Sequence, residues 1–93
     1  MNIHIRYFAS LRETTGRGAE TLDIPIGTSV FTVRTELIAR YPDLQPIMQR
    51  CISALNRRYV DIETTLQDGD ELVFIPPMGG GGVYREVRKV WNQ

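Results

Sequence analysis

Apolar and polar residues alternate from the start of the chain. In NIHIRYF, residues 2–8, Ile3, Ile5 and Tyr7 fall on one side and His4, Arg6 and Phe8 on the other, the period of two that marks a strand with one face buried. AETLDIPI repeats it, with Leu22 and Ile24 against Thr21 and Asp23. Between them, ASLRETTGRG is rich in turn residues and has room for a short helical turn. Gly16 and Gly18 offer the backbone angles a hairpin connection needs, so the two strands are expected to pair as a hairpin. The period then changes. Val30, Val33, Leu37 and Tyr41 recur at helical spacing with Ile38 beside them. Thr28 or Ser29 is placed to cap the first free N–H groups, and Pro42 stops the helix because proline disfavours helical geometry in the residue before it.

After a turn or short helix in DLQPIMQR, CISALNRRYVDI supplies an apolar strand ending near Asn56 and a short edge strand around Tyr59 and Val60. Asp68 and Gly69 turn into a last strand, residues 71–75. The order strand, strand, helix, strand, short strand, strand predicts an α+β fold, one mixed sheet with one main helix on one face. The domain is expected to span residues 1–76, followed by an extended Pro/Gly tail, 77–82, and an extension, 83–93. A single layer of helix leaves the other side of the sheet facing water unless a partner covers it. Parity puts Phe8 on that side, and sets Val73 and Ile75 opposite Leu72 and Phe74, so Phe8 and Ile75 are expected to be outward and apolar.

At 93 residues there is room for one core, burying roughly 60% of the unfolded surface. Eleven basic residues balance eleven acidic ones, so the basic excess of a nucleic-acid or anionic-membrane binder is missing. The balance is uneven: residues 83–93 hold Arg85, Arg88 and Lys89 against Glu86, and the preceding part is correspondingly acidic. A single cysteine, Cys51, excludes an intrachain disulfide and fits a reducing compartment. The N-terminus lacks the apolar run of a signal peptide, and no segment approaches the length of a membrane span. The expectation is a soluble cytoplasmic protein that binds neither membrane nor nucleic acid.

Little here composes an active site. A phosphate loop needs Lys and Ser/Thr directly after its glycines, and Val83 and Tyr84 stand there instead. His4 has no second histidine to share a metal or a proton with. Asp68, Asp70 and Glu71 lack the further ligands of a calcium loop, and Cys51 reads as a small core residue rather than a nucleophile. Turnover by the chain alone is therefore not expected, nor a bound metal or cofactor. The glycines at 79–82 remain. Glycine runs serve as linkers, yet this one follows a strand and the stiff pair Pro76 and Pro77, which sends the chain away from the sheet in extended form. Gly81 lies six residues beyond Ile75, a reach of about 20 Å at ~3.3 Å per residue. Such a tail can enter another protein's pocket, and glycines thread a narrow channel and approach a nucleotide closely.

NIHIRYFASLRETTG, SALNRRYVDIETTLQDGDELVFIPP and the glycines after them resemble the ubiquitin-like β-grasp sulfur carriers, among them the small subunit of molybdopterin synthase and the thiamine sulfur carrier. The resemblance covers residues 1–81. It implies a β-grasp fold with Gly80 and Gly81 as the functional pair. In that family an ATP-dependent, E1-like activating enzyme adenylates the terminal glycine, which becomes a thiocarboxylate and donates sulfur to a pterin precursor in the large subunit. The family's contact positions carry over to Phe8, Arg12, Tyr59, Ile75, Pro76, Pro77, Met78 and Gly79. The departure is residues 82–93, because an internal glycine has no carboxylate to activate. Either a processing protease trims the chain, or the protein has another role. Val83, Val87, Val90 and Trp91 form a helical stripe in the extension, too short to be stable alone and in need of a surface. Two other readings stay open: a carrier for thiamine or cysteine synthesis, and a non-catalytic ubiquitin-like interaction module in which the glycines are a hinge.

Overall fold

The alternation at the N-terminus becomes strand β1 (Asn2–Arg6), with Ile3 and Ile5 buried and its other residues exposed. The computed structural model describes residues 1–77; the readings placed on Met78, Gly79, Gly80, Gly81 and residues 82–93 lie outside the described residues. Helix α1 (Ala9–Thr15), strand β2 (Ala19–Asp23), helix α2 (Val30–Arg40), a 3₁₀ turn (Pro42–Leu44) and helix α3 (Gln45–Met48) follow, then β3 (Ile52–Leu55), β4 (Arg58–Val60) and β5 (Glu71–Ile75). The sheet order is β2-β1-β5-β3-β4. Strand β1 runs antiparallel to β2 and parallel to β5, while β3 is antiparallel to both β5 and β4. This is the expected mixed sheet.

Helix α2 forms where the capping signal stands. Ser29 Oγ accepts the Thr32 N–H at 3.2 Å, whereas the Thr28 hydroxyl donates to the Pro25 carbonyl, which settles the choice of cap for serine. The helix ends at Arg40, just before Pro42, and the Tyr41 N–H still reaches the Leu37 carbonyl at 2.8 Å. Its buried stripe, Val30, Val33 and Leu37, packs against Ile3, Ile5, Tyr7, Leu22, Leu72 and Phe74, with Leu11, Leu44 and Met48 closing the ends. Each such side chain contributes about 1.5–3 kcal/mol by leaving water.

The connection between β1 and β2 develops the short helical turn that the segment had room for, and departs from expectation at one of its two glycines. The turn-rich segment is a seven-residue helix, α1. Gly16 caps it in the left-handed conformation, φ 73°, its N–H bonded to the Arg12 carbonyl. Gly18, by contrast, does not adopt a positive φ; a Cβ there would stand 3.6 Å from Arg12 Nη2, an ordinary contact, so neither backbone angle nor space requires glycine at this position.

The β3–β4 hairpin turns on Asn56 and Arg57, both at positive φ (49° and 73°), a twist that matches the flanking strands. Asn56 also ties this turn to β5. Its Nδ2 donates to Asp70 Oδ1 at 2.8 Å, and its Oδ1 accepts the Glu71 N–H at 2.9 Å. Asp70 Oδ2 accepts the Gln67 N–H, and Asp68 Oδ1 accepts the Asn2 N–H, each at 2.7 Å. The acidic run before β5 is thus a clasp that sets where β1, β3 and β5 begin and end.

Candidate functional site: the sheet face beside the tail exit

Register decides which side chains share the face away from α2. The parallel pairing of β1 and β5 sets Ile5 against Leu72 and Arg6 against Val73, so continuing it brings Phe8 alongside Ile75. On the other side of β5, Ile52 lies opposite Ile75 and Ala54 opposite Val73. Tyr59 of β4 pairs with Ala54. Phe8, Ala54, Val73 and Ile75 form a second apolar cluster, separate from the main core, with Ala9 packed against it.

The parity expectation for Phe8 and Ile75 therefore needs a correction. Both lie on the face opposite α2 and they are neighbours, but neither is exposed: Phe8 is 2% and Ile75 5% accessible. Alternation reports the side of a sheet a residue occupies, not whether that side is covered. The exposed apolar residues on this face are at its margin, Ile52 at 51% and Tyr59 at 54%. The short run ISAL hid Ile52 and Ala54, because a four-residue apolar strand shows no clear alternation until its neighbours are known.

The remaining candidates are spread along one end. Pro76 is buried and Pro77 exposed, and together they line an open cleft of about 450 Å³ with Pro46, Ile47, Gln49 and Arg50. The chain thus leaves β5 directly beside the apolar cluster. Arg12 is exposed and lies across Gly18, at the β1–β2 end of the sheet, rather than within the cluster.

Chemically reactive groups on the described surface are held in structural roles. Burial pushes the Cys51 thiol up to about 12, and its Sγ donates to the Ile47 carbonyl, so it is a thiol at neutral pH. His4 Nδ1 meets Thr21 Oγ1 across the β1–β2 pair at 3.2 Å. Beneath the sheet, Glu20 accepts from Tyr7 Oη at 2.6 Å, Tyr41 Oη at 3.0 Å and Arg40 Nη1 at 3.0 Å. Burial, then the bond to Glu20, raise the Tyr7 phenol far above its ordinary range, and the same causes raise Tyr41. Among the described residues no helix is long and apolar enough to cross a membrane. What the geometry offers is a covered apolar platform with a stiff exit at its edge.

The family model described as "ThiS family" matches residues 5–81, from the middle of β1 to the third glycine of the run. The chain belongs to the ThiS family. Among the curated relatives of this ThiS-family chain, the "Molybdopterin synthase sulfur carrier subunit" of Chlamydomonas reinhardtii is 37% identical over 83 residues, 87% of this chain and all of the relative. Among solved structures, SAMP1 from Haloferax volcanii superposes with a TM-score of 0.76 at 21% identity, covering 87% of this chain and 100% of that one. A chain from the complex of subunits 1 and 2 of the Helicobacter pylori molybdopterin-converting factor gives 0.66 at 23% identity, with 87% and 100% covered. These likenesses show the ubiquitin-like β-grasp fold for the ThiS-family domain.

Proposed function

We propose that this protein is the sulfur carrier subunit of a molybdopterin synthase, and that it carries sulfur as a thiocarboxylate on Gly81 once residues 82–93 are removed. The observation that carries the reading is the family match running through the strand, the proline pair and the glycines and stopping at Gly81. The name borne by the 37% identical relative over its whole length supports the pathway. The described residues add a fitting frame. They hold β5 rigidly and release the chain through Pro76 and Pro77 beside an apolar face.

The chemistry follows from the state of the carboxyl group. Hydrolysis of the Gly81–Gly82 peptide bond by a protease adds water across the amide and frees a carboxylate. A carboxylate is a poor electrophile, so an activating enzyme joins it to AMP from ATP, releasing pyrophosphate. Sulfide then attacks the acyl carbon, the bond to AMP breaks, and a thiocarboxylate remains. The sulfur so carried is a nucleophile for the large subunit's pterin substrate. ATP belongs to the activating enzyme, and this chain binds no cofactor of its own. The partners are thus the large subunit, the E1-like enzyme and the protease, and the lone cysteine, a thiol at neutral pH, suits the cytoplasm.

Phe8, Ile75, Tyr59 and Arg12 are assigned to partner contact, with Pro76, Pro77, Met78 and Gly79 as the lead into the partner's channel and Gly80 beside the reactive residue. The test is reconstitution with the activating enzyme, ATP and sulfide. A chain ending at Gly81 is expected to gain the mass of a sulfur-for-oxygen exchange, while the 93-residue chain and a chain ending at Gly80 do not. Equal reaction of all three would remove Gly81 from the mechanism.

A further inference from the structure

Ten of the eleven basic residues are arginine, and the eleventh, Lys89, lies beyond Gly81. Residues 1–81 therefore carry no ε-amine. The difference is chemical: a guanidinium stays charged and offers an acyl carbon no free electron pair, whereas a lysine amine does when its proton leaves. Two groups able to keep an acyl group remain, the Met1 amine and the Cys51 thiol. His4 can take one only as an acyl-imidazole, which water cleaves, and hydroxyls are weak nucleophiles.

The fold disposes of both remaining groups. The Met1 nitrogen donates to the Ile24 carbonyl at 2.8 Å and pairs with Asp23 at 3.5 Å, at the end of β1 away from the tail exit. Continuing the parallel register puts Phe8 beside Ile75. Met1 lies seven residues before Phe8, about 23 Å at ~3.3 Å per residue. Gly81, six residues beyond Ile75, reaches about 20 Å at full extension, so the amine of its own chain is too far. Cys51 is near enough. Ile52 lies opposite Ile75 in the antiparallel β3–β5 pair, which places Cys51 opposite Pro76. There the thiol is partly buried and donates to the Ile47 carbonyl at 3.3 Å. Burial pushes it up to about 12, which withholds the thiolate, the form that attacks acyl groups.

We propose that this domain is an acyl donor built not to be its own acyl acceptor: an activated Gly81 closes no ring with its own chain and links no copies together, and so waits for an acceptor supplied from outside. The activated state rests on the sulfur-carrier reading. In the excluded transfers a lysine nitrogen or a thiolate would attack the Gly81 carbonyl carbon, the bond to the leaving group would break, and the nitrogen would release a proton to water. The ring or linked copies so formed would withdraw Gly81 from reaction with sulfide.

The experiment needs no activating enzyme. A chain ending at Gly81 keeps the whole sheet and both apolar clusters, which lie within residues 1–77; it is prepared with a mercaptoethanesulfonate thioester at Gly81 and followed by intact mass at mildly alkaline pH. The folded chain is expected to lose thioester to hydrolysis alone, giving the free acid. Gln49 and Arg50 are exposed and line the cleft with Pro76 and Pro77, so Gln49→Lys and Arg50→Lys should each yield a lactam one water lighter than the acid, or a covalent dimer. In urea the Cys51 thiol is released, and a thiolactone, also one water lighter but cleaved by hydroxylamine, is expected. A ring or dimer from the folded, unsubstituted chain overturns the proposal. So does a pair of lysine variants as inert as that chain, or a Cys51 acylated as fast folded as in urea. An unreactive folded thioester on a chain that the activating enzyme never adenylates would sink the sulfur-carrier reading alone.

Discussion

Replacing Glu20 by alanine tests whether the Tyr7–Glu20–Tyr41–Arg40 network holds the domain's helical side to its sheet. The Glu20 side chain is 6% accessible and accepts from both phenols and from Arg40. Arg40 is half exposed, so its ion pair contributes at most about 1 kcal/mol. The phenols decide the outcome. Tyr7 is fully buried, and removing its acceptor strands a hydroxyl at a cost of about 1–3 kcal/mol, to which the lost charge-assisted bonds add. Tyr41 is only partly buried and can turn to water. The expected loss is about 3–4 kcal/mol, against a total of about 9 kcal/mol for a chain of this length at ~0.1 kcal/mol per residue. In urea the midpoint should fall with an unchanged slope. In a Tyr7→Phe background Glu20→Ala should cost about 1–2 kcal/mol less, because the pair is coupled. A loss under about 1 kcal/mol, or strict additivity of the two changes, would refute the reasoning.

Asn56→Ala removes two hydrogen bonds to the start of β5 and puts alanine at φ 49°; a loss of about 2–3 kcal/mol is expected by urea unfolding, with Asn56→Gly recovering part of it. Ile75→Lys in the full chain buries an ammonium where 5% of the residue is accessible and should lower stability by about 3 kcal/mol, visible as a drop in Tm; an unchanged Tm would contradict the burial of that cluster. Tyr7, Tyr41 and Cys51 have folded values raised above their unfolded ones. Their stabilising contribution is therefore complete below the unfolded values, about 9 for the thiol and about 10 for the phenols, and is lost as pH climbs through and beyond them. Chemical denaturation between neutrality and strongly alkaline pH should show a monotonic fall beginning near the thiol's unfolded value, and a flat profile would contradict it.

Local pattern made much of this legible. Ile3, Ile5 and Tyr7 alternate because one side of β1 is buried and the other is open, and α2 announces itself through its cap, stripe and terminating proline. The pairing of β1 with β5 was not legible, since it joins residues from opposite ends of the domain through hydrogen bonds that leave no periodic trace. That pairing is what makes Phe8 and Ile75 neighbours. Glu20 reads as an ordinary exposed strand residue until α2 brings Tyr41 and Arg40 over it. The acidic run near Asp68 reads in the sequence only as a turn into the last strand, and its bonds to Asn2, Gln67 and Asn56 emerge only with the sheet assembled. Burial of the second face lay beyond parity altogether, because alternation has no term for what lies on top. The Gly80 and Gly81 assignment came from resemblance, as a glycine run by itself distinguishes neither hinge from channel lead nor linker.

The most direct measurement of the central claim is the intact mass of the protein isolated from its own cell during active cofactor synthesis. The account predicts a species ending at Gly81, part of it heavier by a sulfur-for-oxygen exchange that alkylation of the thiocarboxylate removes from the unmodified pool. Active protein that always retains Val83 and the residues after it, with no thiocarboxylate at Gly81, would contradict the account.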